Sequence, residues 1–189
     1  MPELTQRIAV ISSATAAGYG DFCNQLENNA FGFAFHSRLF PAVMQGEAVE
    51  SSIISALERI NAECDRWDVV VIIRGGGATS DLSGFDTYEL ATHCAQFPLP
   101  VITGIGHERD DTVLDMVSHT RVKTPTAAAE FLINHLRQTA ERLNAIHNLF
   151  IRNCRFCLLV KRNSLSIGYL AFLYGYRCAS SMNISVRKD

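Results

Sequence analysis

Arg74 closes a run of valine and isoleucine and is followed at once by Gly75, Gly76 and Gly77. Glycines let backbone N–H groups approach an oxyanion, and a planar guanidinium grips two phosphate oxygens together, so this turn reads as an anion clamp. A strand-end arginine paired with a core carboxylate is the plainer reading. The turn is no P-loop, because no Gly-Lys-Ser/Thr follows, and no properly placed GxGxxG with its partner acid is present. Ser80 and Asp81, just beyond, are candidates for phosphate or water contacts. Asp86, before Thr87-Tyr88-Glu89, is expected to cap a helix.

His107 follows a second apolar run through Gly104 and Gly106 and stands beside Glu108 and Asp110. A lone histidine is more often structural than catalytic. One set between glycines and acids suits general acid/base work, oriented by a carboxylate such as Asp110. The same spacing suits two metal ligands, with Asp111 or Asp115 completing a set. Asp111 opens a helix, where a solvated acid is favoured by the helix dipole alone. Thr124, Pro125 and Glu130 read as architecture: a helix cap, a helix start, and a carboxylate to hold Arg121 or Lys123.

These groups need a scaffold, and the hydrophobic pattern supplies one. Ile8 to Ile11 is a short buried strand, followed by a Ser/Ala/Gly turn and a helix from Tyr19 to Asn29. Phe33 to Phe40, ending at Pro41, suits a second strand, and Glu47 to Ala62 spaces Val49, Ile53, Leu57 and Ile60 at helical period. Asp68 to Ile73 is a buried parallel strand, Tyr88 to Gln96 a short helix, and Val101 to Ile105 a fourth strand. A helix begins near Asp111, and a long one opens at Thr124-Pro125. Strands alternating with helices imply right-handed crossovers and a parallel sheet. The fold class is therefore α/β: a Rossmann-like, open, mainly parallel sheet of about four or more strands, followed by a long helix. The candidate residues then fall at the carboxyl ends of strands, where ligands bind in such sheets.

At 189 residues the chain suits one domain plus an appendage. Residues 1–123 form the α/β core, 124–163 the long helix, and 164–189 an unassigned apolar tail in which Gly168 and Gly175 interrupt any helix. A formal charge of -2 does not advertise a nucleic-acid binder, so a basic surface for DNA must be local or supplied by something outside this chain. Residues 137–162 concentrate Arg137, Arg142, Arg152, Arg155, Lys161 and Arg162 against one acid, Glu141, as a solvated helix face or a backbone-phosphate contact. Six scattered cysteines fit reduced thiols in a cytoplasmic protein, and the CxxC of Cys154 and Cys157 has no second pair to make a zinc site. No run has the length of a membrane span without a charge or glycine break, so no membrane partner is expected.

Taken together, Arg74-Gly75-Gly76-Gly77, Ser80-Asp81-Leu82 with Phe85-Asp86, Gly106-His107-Glu108 with Asp110, and Thr124-Pro125 through Ala128-Ala129-Glu130 resemble the catalytic domain of the exonuclease VII large subunit family. These are bacterial nucleases of single-stranded DNA. The resemblance spans residues 5–135 or so. Ala78-Thr79, where a longer acidic stretch is usual, and Asp86, where asparagine is frequent, depart mildly from the pattern. The family's amino-terminal oligonucleotide-binding domain has no counterpart in the sequence, which reads as an excised or truncated core.

The resemblance implies hydrolysis of phosphodiester bonds in single-stranded DNA from its ends, releasing oligonucleotides. It implies Asp21, Arg74, His107 and Asp110 as catalytic residues, and Gly75, Gly76, Gly77, Ser80 and Asp81 as the phosphate-binding set. Asp21 matches the family's acid early in the first helix, although an aspartate suits a first turn in any case. A small subunit bound to the helical arm, and self-association through that arm, are the implied partners besides DNA. No obligatory metal is expected, with a divalent ion such as magnesium as the alternative. Two other functions fit the same rim: a small-molecule phosphohydrolase or nucleotide-binding enzyme, marked by a closed apolar pocket near Arg74, and a non-catalytic DNA-binding scaffold.

Overall fold

The computed structural model describes residues 1–75, 82–105 and 111–181, with side chains as far as residue 153. Five strands, β1 (Arg7–Ser12), β2 (His36–Pro41), β3 (Val69–Ile73), β4 (Val101–Gly104) and β5 (Thr120–Arg121), pair in parallel in the order β2-β1-β3-β4-β5. Helices α1 (Ala17–Glu27), α2 (Val49–Asn61), α3 (Tyr88–Ala95) and α4 (Val113–Val117) connect them, and α5 (Pro125–Ser181) follows β5. The expected α/β architecture is the one observed.

The reason lies in the two central strands. All of β3, and all of β1 after Arg7, is buried. Alternate side chains therefore serve opposite faces. Ala9, Ile11, Val70 and Ile72 pack with Ile53, Leu57 and Ile60 of α2, Leu90 of α3 and Leu114 of α4. Ile8, Val10, Val69, Val71 and Ile73 pack with Phe22 and Leu26 of α1 and with Ala128, Ala129 and Leu132 of α5. A continuous Val/Ile run is what a strand covered on both faces requires. Each fully buried aliphatic side chain contributes about 2 kcal/mol.

At the edges the pattern weakens. In β2, His36, Ser37 and Arg38 are exposed, and Pro41, which has no N–H to donate, sits at its end opposite Ser12. Two-residue β5 carries no apolar alternation, and the sequence did not reveal it.

At the amino ends of the strands the sheet is locked. Asp68, one residue before β3, accepts hydrogen bonds from the Arg7 guanidinium at 3.0 and 2.5 Å through Oδ1. Its Oδ2 accepts from the backbone N–H groups of Arg7 and Gln6 at 2.8 and 3.0 Å. Burial works against the Asp68 carboxylate, but the Arg7 side chain and these two N–H donors outweigh it and hold its pKa below the ordinary value.

The start of α5 follows the sequence closely. The Thr124 hydroxyl accepts from the Ala127 N–H at 3.1 Å, and Pro125 is the first helical residue. The helix continues to Ser181, through Gly168 and Gly175, where the sequence led us to expect interruption. A glycine costs a helix only about 1 kcal/mol, so two of them weaken it without ending it. Contacts divide the chain into residues 1–140 and 141–189. In the second unit, Leu143, Ile146, Leu149 and Phe150 are each more than half exposed. Cys23, Cys64 and Cys94 are free thiols, and burial pushes Cys94 up to about 12.

Candidate functional site

In a sheet ordered 2-1-3-4-5 the chain winds outward in both directions from β1, so the loops after β1 and β3 part and leave a crevice at the strands' carboxyl ends. A cleft of about 550 Å³ lies there. Ser13, Thr15, Ala16 and Ala17 line it from the loop after β1, Ala42 to Gln45 from the loop after β2, and Arg74 and Gly75 from the end of β3. Arg74 is 7% exposed, and its backbone N–H donates to the Gly104 carbonyl at 3.3 Å. A cation carried by the rim's own backbone is well placed to hold an anion.

The start of α1 adds to this. Its N-cap, Ala16, has no side-chain cap, and its first turn holds no acid. Uncapped N–H groups and the positive end of the helix dipole therefore face a cleft that also holds Arg74, an arrangement suited to an oxyanion. The sequence reading missed this contribution. Its signal was the run Ala14-Thr15-Ala16-Ala17 directly after a strand, where a capping residue and an acid would be usual.

Small residues bring the helix this near. A Cβ on Gly18 would fall 2.7 Å from Pro125 Cγ and 3.1 Å from Gly75 Cα, and one on Gly75 would fall 2.9 Å from Ala16 Cβ. The starts of α1 and α5 and the turn after β3 thus touch through glycine.

β3 and β4 are parallel neighbours, with Ile73 opposite Gly104, so Arg74 and Ile105 leave the sheet side by side. The candidates Gly76, Gly77, Ser80, Asp81, His107 and Asp110 lie outside the described residues. The chain flanking them is tightly held. Asp86 Oδ1 accepts from the Val113 N–H at 2.8 Å. It therefore caps α4, and not the following helix α3, whose N-cap Thr87 makes no side-chain cap bond. The reason is proximity in space: α4 starts beside the segment that precedes α3. This bond joins the chain after residue 81 to the chain after residue 110.

Thr112 and Asp115 form a capping box, with the Thr112 hydroxyl donating to Asp115 Oδ2 at 2.8 Å and accepting from the Asp115 N–H at 3.1 Å. Asp115 Oδ1 is buried and has no partner among the described residues. Asp111 forms an ion pair with Arg121, which was expected to meet Glu130. Glu130 is exposed and faces another cleft. Asp21 lies in that second cleft too, between α1 and the start of α5, and not in the one that holds Arg74. Among the described residues no three of His, Cys, Asp and Glu come together to hold a metal ion, nor is any helix long and apolar enough to cross a membrane.

A family model described as "Exonuclease VII, large subunit" matches residues 1–173. Curated relatives named "Exodeoxyribonuclease 7 large subunit" include one from Nostoc sp., 37% identical over 155 residues, covering 80% of this chain and 37% of the relative. One from Lactobacillus helveticus is 39% identical over 149 residues, 79% of this chain and 32% of the relative. Another, from Koribacter versatilis, is 35% identical over 159 residues, 84% of this chain and 34% of the relative. The chain thus spans 29–37% of the length of the curated relatives it matches.

Proposed function

The chain belongs to the exonuclease VII large subunit family, and from that premise we propose that it is the nuclease core of an exodeoxyribonuclease that hydrolyses phosphodiester bonds of single-stranded DNA from its ends. The observation that carries the reading is the switch-point cleft, in which the Arg74 side chain and the uncapped start of α1 come together. In this reading Arg74 and the turn Gly75, Gly76, Gly77 hold the scissile phosphate, with Ser80 and Asp81 on its other oxygens. His107 transfers the proton, and Asp110 orients it or the attacking water, whereas Asp21, which lines the other cleft, stands apart from this set. The hydrogen bond from the Val113 N–H to Asp86, which joins the flanks of the two loops, supports this reading.

The proposal also extends to the assembly. Leu143, Ile146 and Phe150, spaced by three and four residues on α5, give a small subunit or a second copy an apolar face to pack against. A cytoplasmic enzyme with no obligatory metal completes the reading, with magnesium dependence as the alternative. Cleavage of end-labelled single-stranded DNA by the assembled enzyme, with and without excess chelator, tests both points. Release of labelled oligonucleotides that persists in chelator supports the metal-free form, while no release under either condition contradicts the proposed function.

A further inference from the structure

The second cleft, between α1 and the first turns of α5, has a volume of about 600 Å³ and a wall unlike that of the switch point. Asn24, Gln25 and Asn134 bring amides to it, Asp21 and Glu130 carboxylates, and Phe31 a ring. Phe31 is 52% exposed, yet its loop is firmly held. Asn29 Oδ1 accepts from the N–H groups of Phe31 and Phe33 at 3.2 and 3.0 Å. Its Nδ2 donates to the carbonyls of Leu26 and Phe33, both at 2.8 Å. Gly32, at φ 68°, makes the turn in the left-handed region that stacks the Phe33 ring on Phe31, 5.6 Å between centroids and 22° from parallel. The Arg137 guanidinium lies 5.8 Å from the Phe31 centroid.

An exposed aromatic on a loose loop needs no explanation. One on a loop that the Asn29 side chain ties together with four hydrogen bonds, one of them to its own N–H, is preorganised to meet a partner. We propose that Phe31 is a stacking platform for a base of single-stranded DNA, and that the amide-lined cleft beside it takes the edges of that base. The proposal rests on reading the chain as acting on DNA. Every base has a π face, so stacking tolerates any sequence, and a nearby guanidinium strengthens it. Amides and carboxylates hydrogen-bond to base edges, whereas Asp21 and Glu130 would repel a phosphate, so the wall suits a base better than the backbone. Its place fits too. Gly18 touches both Gly75 and Pro125, and Asp21 and Thr126 of the cleft follow within a turn, so the cleft opens beside the proposed phosphate site.

The sequence has one tryptophan, Trp67, which is 8% exposed and packed edge-on against Phe40. Phe31→Trp in the full chain therefore adds an exposed reporter at the platform. Its emission is expected to be quenched by a short oligothymidylate and unchanged by an abasic strand of the same length. Phe31→Tyr should keep the parent affinity for oligothymidylate, and Phe31→Leu, apolar but without a π face, should weaken it about 10-fold. Equal quenching by the abasic strand, no quenching, or parent-like binding by Phe31→Leu would overturn the platform. Quenching without cleavage by the assembled enzyme sinks the hydrolytic reading alone, and cleavage without quenching sinks the platform alone.

Discussion

The two ends of strand β3 differ in what their flanking residues do. Asp68, immediately before the strand, spends both carboxylate oxygens on Arg7 and on two backbone N–H groups, tying β3 to β1. Arg74, immediately after it, lines a cleft between parting loops, beside an uncapped helix start. One end closes the sheet and the other brings a largely buried arginine to the wall of a cleft. In parallel sheets the helices and loops divide this way because connections after adjacent strands on either side of the switch point must diverge, while the amino ends have no such obligation. Stability and chemistry can therefore be altered separately, at two residues that flank the five of one strand.

The largest effect is expected at the chemical end. His107→Ala in the assembled enzyme should lower turnover by about two to four orders of magnitude, the span of a lost general acid or base, with little change in DNA affinity. Steady-state turnover and equilibrium strand binding, measured together, decide this. Weakened binding with intact cleavage would make the histidine a contact residue. Arg74→Ala should reduce turnover and affinity together, because a guanidinium on the scissile phosphate stabilises ground and transition states alike. Arg74→Lys should restore part of each, since an ammonium keeps the charge and loses the planar two-point grip.

At the structural end the effect is smaller and of another kind. Asp68→Ala leaves the inward N–H groups of Gln6 and Arg7 without their acceptor and should cost about 2 kcal/mol, a fall in melting temperature of about 5 °C. The sign of the pH dependence follows from the lowered pKa. The stability that Asp68 contributes is complete above the ordinary value of 3.8 and is lost as pH falls below it through the depressed folded-state pKa. Acid titration of the melting temperature should show that slope in the parent chain and lose it in Asp68→Ala. Smallest is Asp86, whose bond to the Val113 N–H is worth about 1 kcal/mol as a helix cap. Asp86→Asn keeps an acceptor and should behave as the parent, whereas Asp86→Ala should reduce turnover less than 10-fold, read in the same cleavage assay.

Much of this division was legible in the residues. The Val/Ile run of β3, the Thr124-Pro125 helix start and the parallel pairing of β3 with β4 follow from local pattern, and Arg74 follows from its place at the end of a strand. What escaped were features made by elements distant in sequence. Asp86 caps α4 and not the adjacent α3, because the fold brings Val113 nearer to it than the N–H groups of its own helix. Arg121, which meets Asp111, belongs to β5, a strand too short to show a period. The α1 contribution lay in an absence, a missing cap, that gains meaning only beside Arg74. The Phe31 platform depends on Asn29, whose four local bonds are invisible in a residue list.

The most direct test of this division of labour places one substitution at each end of β3, Asp68→Ala before it and Arg74→Lys after it, and measures melting temperature and single-strand cleavage on both. Asp68→Ala is expected to melt lower by about 5 °C yet cleave at the parent rate well below its transition, while Arg74→Lys is expected to melt with the parent and cleave more slowly. Parent-rate cleavage by Arg74→Lys, or slowed cleavage by fully folded Asp68→Ala, would contradict it.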